Sequence, residues 1–317
     1  MPLTTLDALL PLLRCPVCAS PLAEKGLRCT NPQCKQASTP FHVAGGQPVL
    51  VDASDSILDP AAVVPAAPRQ VGGLRALASA FGPKNRVAPR IAQLIADEMR
   101  HVTGRRPIVL VIGGGTVGSG LERLYDAPGH DVAAFDIFPS PNTQFVADGH
   151  RIPLVDTSVD AVVVQAVLEH VLDPWRVAAE IHRVLRPNGV VYADTPFLQH
   201  VHEGPHDFTR FTESGHRWLF RHFTLIESGV VAGPGEQLVW SLSQATRTIV
   251  PVRGAAAGVR LVVRPFAALI DRFGSRAHAV DGASSVYFYG RRADAPIAPR
   301  EMLVHYSGAQ HPISRTV

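Results

Sequence analysis

Two clusters of metal- or proton-handling residues and one glycine-rich turn carry the chemistry of this chain. Cys15-Pro16-Val17-Cys18 is followed by Cys29 and Cys34, giving a C-x2-C pair and a C-x4-C pair that together use all four cysteines. Four soft thiolates suit tetrahedral Zn2+, and four protein ligands leave no open position, so Cys15, Cys18, Cys29 and Cys34 are expected to hold a structural metal. About 40 residues build little apolar core, so a bound metal would supply folding energy directly.

The second cluster runs from Thr195 to Thr212 and contains His200, His202, Glu203, His206, Asp207 and Arg210. Histidines and carboxylates gathered in one loop are suited to removing a proton from a bound acceptor. His206 and Asp207 are the first candidates for a general base, followed by His202 and His200. Arg210 is expected to pair with Asp207 or with an anionic substrate. A metal site through His202, Glu203, His206 and Asp207 is a rival, although Gly204 and Pro205 oppose the helix that its i, i+4 histidine pair would need. An ion-paired loop that only closes over a ligand is the plainer alternative.

The turn follows an apolar run, Ile108 to Ile112, and reads Gly113, Gly114, Gly115, Thr116, Val117, Gly118. Glycines after a strand let a ligand approach the backbone, and the next helix offers unpaired N–H groups. Asp136 ends the next strand-like run about twenty residues on, a distance at which a carboxylate accepts the hydroxyls of a ribose. Asp148 follows a third run. This spacing suits NAD as well as S-adenosylmethionine.

The elements that must position these residues alternate short apolar runs with helix-length segments, which argues a mostly parallel sheet covered on both faces. Expected strands are Ile108 to Ile112, Val132 to Ile137, Gln144 to Val146, Ala161 to Gln165 and Val190 to Asp194. Leu121 to Leu124 reads as helix, and Pro174 opens a helix ending near Leu185. Pro187-Asn188-Gly189 makes the turn into the fifth strand. Ser214 to Phe220 reads as helix, Phe223 to Val230 as a sixth strand and Ser285 to Gly290 as an antiparallel seventh. Ligands in such a doubly wound sheet lie beyond the carboxyl ends of the strands, here at Gly113, Asp136, Asp148, Gln165 and Asp194.

Further motifs occur in order along the same stretch: Asp148-Gly149-His150, Ile152-Pro153-Leu154, Val167-Leu168-Glu169-His170-Val171, and Glu180-Ile181-His182-Arg183-Val184-Leu185-Arg186-Pro187-Asn188-Gly189. From about residue 107 to 230 the chain resembles the class I S-adenosylmethionine-dependent methyltransferases of the type 11 group. The resemblance implies a seven-stranded, mostly parallel Rossmann-like sheet. It also implies that Gly113, Gly114, Gly115 and Gly118 shape the loop around the methionine part of the cofactor. Asp136 would hold the ribose with Ile137 beside it, Asp148 the adenine amino group with Gly149 next to it, and Gln165 would sit near the transferable methyl. Two departures stand out: Val111 replaces an acidic residue common before the first glycine, and Val117 stands where many members have glycine. His182 falls mid-helix and reads as a packing residue, while His170 sits near the mouth of the cleft.

The cysteine segment, with Leu12-Leu13-Arg14, Leu27-Arg28, Phe41 and Gly46-Gln47-Pro48-Val49-Leu50, resembles the Trm112-type zinc ribbon, a module that partners or precedes methyltransferases. The histidine loop resembles the P-H-D-x-x-R-(F/Y)-T segment of methyltransferases acting on polysaccharides and other envelope glycoconjugates. A small-molecule or sugar-type acceptor follows from that resemblance.

The expected organisation is a zinc-ribbon-like module over 1–51, a linker over 52–85 rich in Ala, Pro, Asp and Ser, and a methyltransferase domain over 86–292. Residues 293–317 form a tail. Within the domain a leading helix spans Val87 to His101, with Ile91, Leu94, Ile95 and Met99 at helical spacing, and a helical insertion lies at about 235–280. In that insertion Val259, Val262, Val263, Phe266, Leu269, Ile270 and Phe273 make one apolar face, opposite Arg253, Arg260, Arg264 and Asp271. Such a stretch, 253–273, suits packing on the domain, a homodimer contact or peripheral contact with a membrane surface.

The 317 residues are 46% hydrophobic and 18% charged, which marks a globular chain. A formal charge of +3 with no block of basic and aromatic residues gives no strong nucleic-acid signal. Pro2 to Leu13 lacks the basic leader of a signal peptide, no run reaches the roughly 18 apolar residues of a spanning helix, and a cytoplasmic protein is expected. An NAD-dependent oxidoreductase and a non-catalytic scaffold with a partner-binding zinc module are the rival functional classes.

Overall fold

A computed structural model describes residues 3–23, 27–65, 85–252 and 254–310. Most of the expected linker, 66–84, together with Arg253 and the end of the tail, 311–317, lies outside the described residues.

The framework is a nine-stranded mixed sheet. Its central part is parallel: β3 (Ile108–Ile112) pairs with β4 (Asp131–Asp136) on one side and β6 (Val159–Gln165) on the other, with β5 (Phe145–Ala147) beyond β4 and β7 (Leu185–Pro196) beyond β6. The antiparallel strands β9 (Ser285–Arg292) and β8 (Phe223–Ala232) complete that side, with β9 inserted between β7 and β8 so that β8 takes the edge. The sheet therefore has two strands more than the expected seven. They come from the cysteine segment, where Gly45 and Gly46 at φ +55 and +81 fold Val43–Ala44 (β1) back on Gln47–Leu50 (β2). Val49 and Leu50 then pair in parallel with Val146 and Ala147 of β5. Leu50 joins Leu9, Leu13, Leu22 and Phe41 in one apolar core with Phe145 and Leu154, so the N-terminal segment is built onto the sheet.

Strands buried on both faces need unbroken apolar sequence, and every residue of β6 up to Val164 is buried. One face is covered by α2 (Val87–Arg100), which buries Ala88, Ile91, Ala92, Ile95 and Met99 while Leu94 stays exposed. The other carries α4 (Pro174–Val184), which starts at Pro174 behind an Asp173 cap that accepts from the Arg176 N–H at 3.1 Å. His182 within it bonds the Ala293 carbonyl through Nε2 at 2.8 Å, the packing role expected of it. The Pro187-Asn188-Gly189 turn is a bulge within β7, with Asn188 at φ +65 and pairing resuming at Val190.

Two segments differ from their sequence reading. Residues 52–65 do not hang loose: Ser56 donates to Asp148, Asp55 pairs with Arg176, and Arg151 reaches Asp52 at 3.3 Å. The insertion forms an antiparallel helical pair, α6 (Pro234–Ile249) and α7 (Ala255–Phe273), in which α6 covers the Arg260 and Asp271 side of α7 and the apolar face stays exposed. Arg260 bonds Ser243 at 3.1 Å and stacks over Trp240, and Asp271 accepts the Gly235 and Glu236 N–H groups that open α6 at 2.7 and 3.1 Å. Val262, Phe266 and Phe273 of that face point outward at 67%, 64% and 75% exposure.

Candidate active site

The turn after β3 gives the site its floor. Gly113 and Gly114 both donate to the Phe135 carbonyl at 3.0 Å, which bends the chain over the end of β4. Gly113 sits at φ +75, and a Cβ there would collide with Val167. A Cβ on Gly118 would likewise meet the Gln165 amide oxygen. Glycine is thus favoured at Gly113 by its backbone angle as well as by close approach, and at Gly118 by close approach to a side chain that can move.

Asp136 at the end of β4 takes the Gly115 N–H at 2.8 Å and the Ile137 N–H at 2.7 Å. Burial raises its carboxyl above the ordinary carboxylate range, against those two hydrogen bonds. Ile137 beside it is 49% exposed, leaving an apolar surface next to the ribose-binding position expected at Asp136. The expected adenine contact, Asp148, already accepts from Ser56 and from the His150 N–H and Nδ1 at 2.9 and 2.6 Å. Three bonds leave about one of its four lone-pair positions for a ligand. Gly149 is buried beside Val177 with ordinary contact distances for an added Cβ, so its place here is not forced by packing.

Across the switch point, the ends of β6 and β7 meet. Gln165 donates to Asp194 at 3.3 Å and to the Ser119 carbonyl at 3.4 Å, while its Oε1 is buried without a partner. Asp194 also accepts from Asn85 at 3.0 Å, and Asn85 Oδ1 accepts the Val87 and Ala88 N–H groups that open α2. Burial pushes Asp194 up to about 6. Ala166, next in the chain, holds φ +53, an uncommon value for a residue with a side chain.

Beyond Ala166 the chain turns through Leu168–His170, and the histidine loop docks on this turn. Phe208 and Thr209 donate to the Glu169 carbonyl at 2.8 and 3.2 Å. Arg210 knits the loop: its guanidinium pairs with Asp207 and reaches the carbonyls of Gln199 (2.9 Å) and His200 (3.2 Å). That pairing holds Asp207 near 2, against the cost of burial, so Asp207 is a weak base and an anchor for the loop. The ring of His206 is exposed, and what it contributes inward is its carbonyl, which takes the His170 Nδ1–H at 2.7 Å.

The structure instead brings His202 together with His170 around Glu169. His202 Nε2 and His170 Nε2 lie 3.9 and 3.7 Å from Glu169 Oε1, with the two rings in edge contact at 5.0 Å. The Glu169 side chain is 1% exposed, and burial, reinforced by Asp194, pushes it up to about 8. His200 lends its carbonyl to His202 Nδ1 at 3.3 Å, while its own Nε2 is buried without a partner. Trp240 of α6 lies 6.3 Å from His202, so the helical pair roofs this side. Glu169 was not among the expected catalytic residues, although the Leu168-Glu169-His170 run marked it.

In the N-terminal segment, Cys15 and Cys34 lie 3.8 Å apart through their Sγ atoms, and Cys18 and Cys29 lie 3.3 Å apart. All four Sγ atoms fall within 4.8 Å of one another. A tetrahedral site with metal–sulfur bonds of about 2.3 Å has sulfur–sulfur edges of about 3.8 Å, so the thiols are placed to fit a metal.

Residues 110–193 match the family model described as "Methyltransferase domain". Over these residues, which run from β3 to β7, the chain is similar to methyltransferase domains. The chain is similar to an uncharacterised methyltransferase of Mycobacterium tuberculosis, with 38% identity over 121 residues that cover 35% of this chain and 48% of the relative. It is also similar to an uncharacterised methyltransferase of Mycobacteroides abscessus, with 45% identity over 51 residues, 16% of this chain and 20% of the relative. The chain thus spans less than half the length of these curated relatives. Among solved structures, the phosphoethanolamine N-methyltransferase 2 of Haemonchus contortus with S-adenosylmethionine covers 70% of this chain and 57% of that one at 15% identity and TM-score 0.44. A Haloferax volcanii complex of the Trm112 methyltransferase activator with a methyltransferase covers 70% and 98% at 20% identity and TM-score 0.39.

Proposed function

We propose that this protein transfers the methyl group of S-adenosylmethionine to a small-molecule or sugar-type acceptor, with Zn2+ held by the four cysteines as a structural ion. The observation that carries the reading is the adjacency of two half-sites at the carboxyl ends of one parallel sheet. One is the Gly113 to Gly118 turn with Asp136, and the other is the Glu169, His170 and His202 group under the histidine loop.

S-adenosylmethionine supplies an electrophilic methyl on a sulfonium, which a lone pair displaces in line. The residues of the chain have the remaining tasks. Asp136 would accept the ribose hydroxyls and Ile137 would pack against the purine. Gly113 to Gly115 would admit the amino-acid end close to the backbone, and Asp148 would offer its remaining lone pair to the adenine amino group. Gln165 and Asp194 border the path between the half-sites. Arg210 and Asp207 fix the loop that shapes the acceptor side, and Trp240 helps to exclude water from it.

The outward apolar face of α7 supports an acceptor met at a membrane surface, with Val262, Phe266 and Phe273 as the contact. No helix among the described residues is long and apolar enough to cross a membrane.

Calorimetry with S-adenosylmethionine, S-adenosylhomocysteine and NAD tests the reading. Binding of the first two in preference to NAD is expected. Tighter NAD binding would replace it with an oxidoreductase, and no binding of any of the three would leave a scaffold.

A further inference from the structure

Glu169 has two oxygens buried without a hydrogen-bond partner, at a place where two histidine rings approach it. The approach distances of 3.7 and 3.9 Å are too long for hydrogen bonds. They are the distances at which two ligands of one ion stand, since ligand atoms about 2.1 Å from a shared metal lie roughly 3 to 4.2 Å apart. Glu169, His170 and His202 each offer one such atom, all within 4.8 Å of one another.

The orientation of the rings points the same way. His170 gives its Nδ1 proton to the His206 carbonyl at 2.7 Å, and His202 has Nδ1 3.3 Å from both the Asp207 carboxylate and the His200 carbonyl. Carbonyl and carboxylate oxygens only accept, so both rings carry the proton on Nδ1 and turn a bare Nε2 lone pair toward Glu169. Metal-bound histidines are held in this way, with the far nitrogen donating to a carbonyl or carboxylate. A ring serving only to hydrogen-bond Glu169 would present a proton there.

We propose that Glu169, His170 and His202 form a site for a divalent first-row cation of the Mn2+ or Fe2+ class, with open positions facing the acceptor. Two imidazoles and one carboxylate are a ligand set for such ions, and three protein ligands leave coordination positions free. The site rests on the methyl-transfer reading for its role. An acceptor hydroxyl bound at an open position loses its proton to water. The oxygen pair then forms the new C–O bond as the C–S bond breaks, and that bond pair stays on the sulfur of S-adenosylhomocysteine. Asp207 is a positioning residue here, acting through His202.

The test is titration of the full chain, its cysteine site loaded with Zn2+, with Mn2+ followed by electron paramagnetic resonance. Mn2+ is the probe because thiolates discriminate against it. Saturable binding of one Mn2+ is expected, weakened at least about tenfold in Glu169→Gln and in His202→Ala and unchanged in His101→Ala, whose ring is exposed at the end of α2. His202 is a quarter exposed, so its substitution gives a second variant should Glu169→Gln not fold. No saturable binding up to about 1 mM, or binding that both variants leave intact, overturns the site. Calorimetry with S-adenosylmethionine on the same samples separates the two ideas. Cofactor binding without Mn2+ binding removes the metal site alone, and Mn2+ binding without cofactor binding removes the methyl-transfer reading alone.

Discussion

The cysteine cluster and the Glu169 cluster each gather metal-ligating side chains within 4.8 Å, yet they are built in opposite ways. Three of the four cysteines are buried, they come from a segment of about 20 residues, and their Sγ atoms stand close enough together to share one metal ion. The second cluster joins Glu169 and His170 to His202, more than thirty residues later, and it opens toward a loop and the roof at Trp240. A closed set of ligands contributes to the fold, whereas an open set leaves room for a substrate. The short N-terminal segment needs the first kind, because it brings only a few buried apolar residues, among them Leu9, Leu13, Leu22, Phe41, Val49 and Leu50.

The comparison breaks first at the cysteines. Cys15→Ser is expected to lose the bound metal and to lower the melting temperature by about 10 °C or more, since structural zinc contributes many kcal/mol. Metal analysis and a circular-dichroism melt check this, and a melt within about 2 °C of the parent would make the cluster dispensable.

The cofactor half of the site should fail independently of either cluster. Asp136→Ala is expected to weaken S-adenosylmethionine binding by about 100-fold, as two charge-assisted hydrogen bonds to ribose are lost, with metal content unchanged. Calorimetry decides it, and an unaltered dissociation constant would remove Asp136 from the cofactor site.

A histidine outside both clusters sharpens the contrast between structural and functional rings. His216 is buried beside Phe211 and Phe220 with neither ring nitrogen bonded, and burial holds it down to about 3. The unfolded chain binds a proton at about 6.5 where the folded one does not, so the contribution to stability is full above that pH. It falls at up to about 1.4 kcal/mol per pH unit as pH drops toward 3. Denaturant unfolding between pH 4 and 7 should show His216→Phe flattening this slope by about one proton. An unchanged slope would place the acid sensitivity elsewhere.

The smallest effect is expected at the open cluster itself. Glu169→Gln should leave the melting temperature unchanged or raise it by a few degrees, because a buried group without a partner adds nothing to the fold. A fall comparable to that of Cys15→Ser would make Glu169 a structural residue and erase the distinction.

How far each region could be read in sequence follows the same division. The strand-end positions of Gly113, Asp136 and Gln165 were legible because strand ends are set by local apolar runs. The cysteine ligands were legible because their spacing is short. The acceptor half was legible in part: the Arg210–Asp207 pair was expected and forms, but not that His206 stays exposed while its carbonyl takes the His170 Nδ1–H. Which histidine meets Glu169 depends on how the loop docks on the turn at Leu168–His170, and no local periodicity encodes that. The α7 helix shows a similar limit, since its amphipathic pattern located the helix but not the face that α6 covers. The two extra strands escaped notice because Val49 and Leu50 pair with residues almost a hundred positions away.

The most direct measurement is a crystal structure with S-adenosylhomocysteine bound. The account predicts the ribose hydroxyls on Asp136, the amino-acid end over Gly113 to Gly115, and the sulfur directed past Gln165 toward Glu169 and His202. A ligand bound elsewhere, or bound there with its sulfur turned away from that group, would contradict it.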